Sequence, residues 1–524
     1  MTLLAQSLAK PVVSYWQLPG RKNPQSVVRL IKKQFPNVCH SQATQSIPLY
    51  DAFGWPLWFD NVMLYQYDSQ LILAPKGCFA YESLIASCTA NNLNNNGQVL
   101  EINQLPSGIL KNKVKPLIKL RALQQMATLT CDSHTIKMIN SDQKTVCKAI
   151  IYILSDQRNG ATTIEYLELQ PLRGFNEEAE QFTQFLEQHF TTIAEPPLVD
   201  YWDKHRLAPQ PYSIKPHFAI QPETSTREAV LNMVNTMLAL AQQNEQGVID
   251  DIDTEYLHDY RVAIRKIRSL LSLIKQVFPK AETKQLKQQL KTLAQKTNLL
   301  RDLDVYLLAK DELKVQLPTQ LQPGLDKLFQ TFADLRKAEC KNIVQHLQNK
   351  TYQDTFATIK NTLKTCKKAA KTKNSHKPII KVAIQEVHNK YQLVCHNGSL
   401  LTATTDDEAF HDLRLECKKL RYLLELFADL MDTATNKQAV SSLKKLQDKL
   451  GHFNDLSVQQ EKLLSYLDGN NIDSLEAAAI GGLVSVMHQQ QASLKTEIIS
   501  QLNDFCSFST HNKFSQLFQK VSQQ

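Results

Sequence analysis

HDYRVAIRKIRSLLSLI, from His258 to Ile274, and HDLRLECKKLRYLLELF, from His411 to Phe427, are two versions of one 17-residue stretch. In the first, His258, Arg261, Arg265 and Arg268 stand at offsets of three, seven and ten residues, and in the second His411, Arg414, Lys418 and Arg421 stand at the same offsets. At about 100° and about 1.5 Å per residue, these positions fall within an arc of roughly 80° and extend over about 15 Å, so each set is a ridge along one side of a helix. Like charges one turn apart repel by about 0.2–0.5 kcal/mol per pair. A polyanion lying along the ridge would remove that cost. Arginines on a helical face also pair with acids on neighbouring helices, and Asp302, Asp304 and Asp455 are available for that role.

The step of 153 residues from His258 to His411 also carries LRDLDV (Leu300 to Val305) onto FNDLSV (Phe453 to Val458). Two elements repeated at one spacing imply a duplicated unit. Two ridges in register favour anion capture over acid pairing as the reason for the pattern, although the RDLD and NDLS elements are expected to hold some of the arginines in place.

Composition sets the frame for this repeat. A chain of 524 residues exceeds one ordinary core. Of its 20 prolines, 15 precede residue 220, so long helices are permitted mainly in the second part. The net charge of +9 is too small for its size to identify a nucleic-acid binder, and the concentration of cations on the ridges matters more. Ten cysteines without a CxxC pair, no basic-then-apolar start and no apolar run of about 18 residues lead to the expectation of a soluble cytoplasmic protein with free thiols.

Short apolar runs at 70–73, 114–121, 145–154 and 162–169 read as strands, and 23–35 and 176–190 as helices, giving an antiparallel α+β domain over residues 1–200. NNLNNNG (Asn91 to Gly97) reads as a surface loop, and 201–223 as a linker. From 224 to 520 helical patterns follow one another, including 253–277, 282–299, 302–315, 408–429, 435–450 and 455–467. They suggest antiparallel bundles in two repeat halves, about 224–365 and 379–520. Lys364, Lys367, Lys368, Lys371, Lys373, Lys377 and Lys381 occur without an intervening acid and read as a solvated linker between the halves, or as an electrostatic arm if they border the anion site.

HDYRVAIRKIRSLL, LLRDLDVYL, HDLRLECKKLRYLLELF and LQDKLGHFNDLSV, in this order and duplicated, resemble the CHAD family, the conserved histidine α-helical domain. The resemblance implies an all-α fold of two pseudo-symmetric antiparallel four-helix bundles around a basic cleft that binds inorganic polyphosphate. It implies binding roles for His258, Arg261, Arg265, Arg268, His411, Arg414, Lys418 and Arg421, with Lys266, Arg301 and Lys419 beside them. The side chains suit such a ligand: Arg offers a planar fork, Lys a movable point charge, and His a hold that strengthens as pH falls. Tyr260 and Tyr422 are isolated, so no aromatic ladder favours stacked bases, and nucleic acid is the weaker choice of partner. Association with polyphosphate granules would follow from the same ligand.

Before this domain, PLYDAFGWPLWFDN from Pro48, LIKLRAL from Leu117, KTVCKAIIYI from Lys144 and IEYLELQPLRGFNEEAEQF from Ile164 resemble degenerate pieces of a CYTH domain. That family forms an antiparallel β tunnel which binds or hydrolyses triphosphate with metal-binding acids. Its first strand carries ExExK, whereas this chain has VVSYWQL from Val12 to Leu18. Without those carboxylates the usual divalent-metal route loses its ligands, so no catalytic residues, metal site or cofactor are expected. Lys119, Arg121, Lys144 and Lys148 could line a basic tunnel or simply an exposed strand face, and Glu165 and Glu168 read as an outward-facing pair near a turn. Two alternatives remain open: an inorganic triphosphatase using Mg²⁺ or Mn²⁺ in the N-terminal domain, and an RNA-associated adaptor.

Overall fold

The computed structural model describes residues 14–18, 23–79, 84–89, 99–156, 158, 163–172, 174–205, 207–469 and 472–518. The expected loop at 91–97 lies outside them. The chain forms two compact units, Met1–Ser213 and Ile214–Gln524.

The first unit is built on one antiparallel sheet. Its strands are β1 (Ser14–Gln17), β2 (Val38–Asp51), β3 (Val62–Tyr67), β4 (Gln70–Pro75), β5 (Ala86–Thr89), β6 (Val99–Leu100), β7 (Leu123–Ile139), β8 (Thr145–Asp156), β9 (Thr163–Pro171) and β10 (Thr191–Ile193). They are ordered β10-β1-β9-β8-β7-β2-β3-β4-β5, with β6 added to β7. The accompanying helices are α1 (Pro24–Gln34), α2 (Pro56–Phe59), α3 (Ile109–Ile118), α4 (Asn176–His189) and α5 (Leu198–Lys204).

Alternation along the strands separates two apolar layers. Tyr15, Leu129, Tyr152, Tyr166 and Trp202 belong to one, and Trp16, Ile151, Leu167, Phe182 and Leu186 to the other. Trp202 lies on α5, inside the stretch read as a linker, and stacks on Trp58 at 4.7 Å between ring centroids. The run at 114–121 is not a strand: Leu110, Val114 and Ile118 recur every four residues and bury one face of α3, which ends at Lys119 in a positive-φ conformation.

The second unit is helical: α6 (Thr226–Ile249), α7 (Thr254–Leu273), α8 (Lys280–Lys296), α9 (Asn298–Leu308), α10 (Lys310–Lys314), α11 (Gln322–Gln348), α12 (Lys350–Lys368), α13 (Ile379–Ser399), α14 (Asp407–Leu426), α15 (Thr433–Gly469), α16 (Ser474–Phe505) and α17 (Phe508–Gln516). The first half packs α6 on α7, α7 on α8 and α9 on α11, and the second packs α13 on α14, α14 on α15 and α15 on α16. The halves meet through α7 with α14 and α11 with α16. Close approach is local and specific: a Cβ on Gly247 would lie 2.2 Å from Tyr256 Cδ1, so only glycine lets α6 and α7 touch there.

One difference between the halves was hidden in the sequence. Residues 435–467, read as two helices, lie within the single α15, whereas the matching segment of the first half breaks at Thr297 into α8 and α9. The lysine run is no free linker either. Lys364, Lys367 and Lys368 lie in α12, and the following loop is tied down by Thr372 Oγ1 donating to Gln276 O at 2.7 Å and Asn374 Nδ2 donating to Lys275 O at 2.9 Å. Among the described residues, no helix is long and apolar enough to cross a membrane.

Candidate anion site

The ridge helices are fixed from their ends and their apolar faces. The Asp253 side chain caps α7 by accepting from the backbone N–H of Glu255 and Tyr256, and Asp407 and Glu408 occupy the first turn of α14, where negative charge suits the helix dipole. Tyr260, Ala263, Ile264, Ile267 and Leu270 bury one side of α7, and Phe410, Leu413, Cys417, Leu420 and Leu424 one side of α14. The ridges occupy what the core does not take.

Along these ridges the cations fall into two groups. Several are held by protein. Arg261 Nη1 donates to Ala294 O at 2.9 Å and Thr297 Oγ1 at 2.6 Å, thereby satisfying acceptors where α8 gives way to α9. Arg301 Nη1 donates to Thr254 O at 3.4 Å. In the second half, Arg414 reaches Asp455 at 3.4 Å, and His411 Nδ1 contacts the Asn454 side chain. Arg421 Nε pairs with Glu425 at 3.0 Å while its Nη1 donates to Gln447 Oε1 at 3.3 Å, and Lys419 pairs with Glu416 at 2.5 Å. His258 is half-buried on α7. Lys266, only 5% exposed, lies about 100° around the helix from Arg265, donates to Ile214 O at 3.2 Å and meets Glu425 at 3.1 Å. It therefore faces a packed interface, away from any site a polyanion could enter.

Glu425 is the hub of these pairings, because Lys215 also reaches it at 2.9 Å. Burial alone would raise its pKa, but Lys266, Lys215 and Arg421 hold it down to about 2. Position 272, which is Ser272, occupies the corresponding place in the first copy.

The other group is Arg265, Arg268 and Lys418. Among the described residues they have no carboxylate in ion-pair contact, and all three line a cavity of about 1090 Å³ bounded by α7, α8, α14 and the loop after α12. Lys419 borders it as well, so the cavity gathers four of the eleven expected residues and leaves His258, Arg261, Lys266, Arg301, His411, Arg414 and Arg421 off its wall. It adds five cations that the sequence pattern did not single out, Lys275, Lys280, Lys284, Lys287 and Lys291, and Lys373 of the lysine run, which borders it from the anchored loop. No acid is among the lining residues. A signal existed, since the α8 lysines recur at steps of four, three and four and thus form a third ridge. The floor is apolar, with Leu271, Leu273, Phe278 and Leu415.

Crowded cations resist their own charge. Burial, then Arg414 and Arg265, push the Lys418 ammonium down to about 8, against a weaker pull from Asp455. Burial and Lys275 lower Lys287. Burial likewise lowers Arg261 and Arg414, with Arg265 contributing to both, so the two ridges feel each other across the α7–α14 contact. An arriving polyanion would relieve this strain.

Among the described residues, the expected cations of the first unit are not gathered into a comparable site. Lys119 ends α3, Arg121 lies over the Phe53 ring at 5.3 Å, Lys144 sits in the β7–β8 hairpin and Lys148 stands opposite Lys137 and Gln170 in the sheet. Glu165 and Glu168 are not an outward pair. Three residues apart on a strand they face opposite sides, and Glu168 is fully buried, accepting from Gln170 Nε2 at 2.5 Å. Strand β1 presents Ser14, Tyr15, Trp16 and Gln17, with Trp16 wholly buried. Among the described residues, no three His, Cys, Asp or Glu side chains are grouped to hold a metal ion.

Residues 232–464 match the family model of the CHAD domain. No curated protein matches the chain. Among solved structures, the crystal structure of the CHAD domain from the plant Ricinus communis is similar, with 23% identity and a TM-score of 0.46, covering 54% of this chain and 94% of that one. PptA from Streptomyces chartreusis is also similar, with 13% identity and a TM-score of 0.40, covering 53% of this chain and 99% of that one.

Proposed function

Because residues 232–464 match the family model of the CHAD domain, we propose that the protein binds inorganic polyphosphate in the cavity between α7, α8 and α14. The observation that carries this reading is the lining: among the described residues, ten Lys and Arg side chains and no acid, with Lys419 alone having a carboxylate in contact. Arg268, Lys287 and Lys418 are half-buried with no carboxylate in ion-pair contact among the described residues, where structural cations are normally paired. Here the unpaired ones converge, and each has a donor geometry suited to phosphate oxygens. A site for stacked bases needs aromatic platforms, whereas Tyr422 and the buried Phe278 are the aromatic lining residues.

On this reading the N-terminal unit is a CYTH-like companion whose sheet face is filled by aromatic core residues, and the work of the protein is binding in the cytoplasm. The proposal is tested with the full chain by fluorescence anisotropy on labelled polyphosphate at several salt concentrations. About six neutralised phosphates give a log–log salt slope near 4, at roughly 0.7 per contact. At one fixed salt, long polyphosphate should displace the label while single-stranded RNA of equal charge competes poorly. Equal competition by RNA, or a slope near zero, would sink the reading.

A further inference from the structure

Lys418 differs from the other lysines of the cavity. It stands on α14 one turn after Arg414 and faces Arg265 of α7, and among the described residues it has neither a hydrogen bond nor an ion pair. The charged groups acting on it are Arg414 on its own helix, Arg265 on α7 and Asp455 on α15. Lys284, Lys287 and Lys291 on α8 line the same space. Arg265, which acts on it, and Arg268 line the same cavity, and among the described residues neither has a carboxylate in ion-pair contact. A phosphate ester or anhydride held by these two arginines would bring its remaining atoms to a lysine that gains from losing its proton.

We infer that Lys418 is an acylation site for acyl phosphates, the mixed anhydrides of a carboxylic acid and phosphate, with the phosphate docked on Arg265 and Arg268. The amine nitrogen attacks the acyl carbon, the C–N bond forms as the C–O bond to phosphate breaks, inorganic phosphate leaves with the electron pair, and the amine proton passes to water. No oxidant, reductant or further reactant is needed. The apolar floor of Leu271, Leu273 and Leu415 accommodates the acyl chain. The product has lost its charge, so acylation would lower the affinity of the cavity for polyanions and make the site sensitive to the supply of activated acids. This inference rests on reading the cavity as an anion site, but not on which polyanion fills it.

The rate advantage follows from acid–base arithmetic. With its ammonium pushed down to about 8, Lys418 carries about two hundred times more free amine near pH 7.5 than an ordinary lysine. Lower basicity costs about tenfold in nucleophilicity if amines follow a slope like that of thiols, leaving about twentyfold.

The test treats the full-length protein with acetyl phosphate between pH 7 and 9.5 and follows each lysine by quantitative peptide mapping, with polyphosphate binding by the unmodified protein measured in parallel. Near pH 7.5 Lys418 should acetylate about twentyfold faster than Lys284, an advantage that narrows toward equality by about pH 9.5 because its rate rises through about pH 8 and then levels, and excess inorganic phosphate should suppress it. An N-hydroxysuccinimide ester, which has no phosphate, should show a smaller preference, and Arg268→Gln should reduce the preference for acetyl phosphate but leave that for the ester unchanged. Acetylation of Lys418 no faster than Lys284, or equal preference for both reagents, overturns the inference. Failure of polyphosphate to bind while Lys418 still reacts selectively would overturn the proposed ligand and leave the modification site standing.

Discussion

The two copies of the ridge share a register but not a charge balance. In the first copy Arg265 and Arg268 open onto the cavity, and Ser272 follows them without a charge to offer. In the second, Glu425 stands at the matching position, holds Arg421, and reaches across to Lys266 and Lys215. Both helices line the cavity, but only the second also clamps the halves together. Duplication supplies two equivalent scaffolds, and one acid decides that Arg421 is held by protein while its counterpart Arg268 is left to the cavity.

The largest effect should come from the pair that joins the copies across the cavity. Arg265→Glu with Lys418→Glu places two carboxylates among the remaining cations, and polyphosphate affinity should fall about hundredfold or more at physiological salt, with the salt slope reduced by about 1.4 for two lost contacts. Anisotropy titrations on protein whose unfolding transition is unchanged would measure this. Wild-type affinity in the folded double variant would remove the cavity from the account.

A matched experiment isolates the asymmetry itself. Lys284 and Lys291 on α8 correspond to Lys437 and Lys444 on α15, each pair separated by the same 153-residue step. Because only the α8 pair lines the cavity, Lys284→Glu with Lys291→Glu should weaken binding about tenfold or more, and Lys437→Glu with Lys444→Glu less than about twofold. Equal losses would mean that the halves contribute symmetrically, as the repeat alone suggests.

That contrast also shows what sequence could and could not carry. The duplication, the helical ridges and the helical character of 224–520 follow from spacing, because a period of about 3.6 needs no tertiary information. Which ridge cation is free does not follow, since Glu425 lies one turn beyond Arg421 in the sequence but meets Lys266 only after α7 and α14 pack. The α8 lysines were visible as a pattern, yet a stripe of lysines ordinarily marks a solvated face. In the first unit the longest strands, β2 and β7, were missed because stretches such as CHSQATQS and TCDSHT mix polar residues into both faces. Helix α3 was mistaken for a strand because Pro116 and a short apolar run imitate one.

Removing the clamp should separate stability from binding. Glu425→Gln leaves Lys266 buried without its carboxylate, which costs about 3 kcal/mol of unfolding free energy, while Arg421 and Lys215 lose the carboxylate that neutralised them and polyphosphate affinity rises a few-fold. The acid side gives a second readout. The Glu425 carboxyl is depressed in the folded state to about 2, so its contribution is present above the ordinary carboxylate range and lost as pH falls through about 2. Wild-type stability should therefore drop more steeply than that of the variant between about pH 5 and pH 2. Parallel acid curves would mean that Glu425 is not the clamp.

The smallest effect is the one that reports on Lys418 alone. Its folded-state pKa, near 8, lies below the unfolded value, so between about pH 8 and 10.5 the unfolded chain holds the extra proton and this group makes stability rise with pH. Binding runs in the opposite direction. A polyanion favours the protonated ammonium, raises its pKa and takes up a proton, so affinity should decline a few-fold from pH 7 to pH 9 as the free site loses its charge. Calorimetry in two buffers of different ionisation enthalpy measures the uptake directly. About half a proton should be taken up near pH 8 in the wild type and much less in Lys418→Met, where the residue cannot titrate. Because Lys418 is squeezed by one arginine from each copy, Arg414 and Arg265, uptake that survives in Lys418→Met would move the crowded cation to Lys287 and shift the centre of the site onto α8.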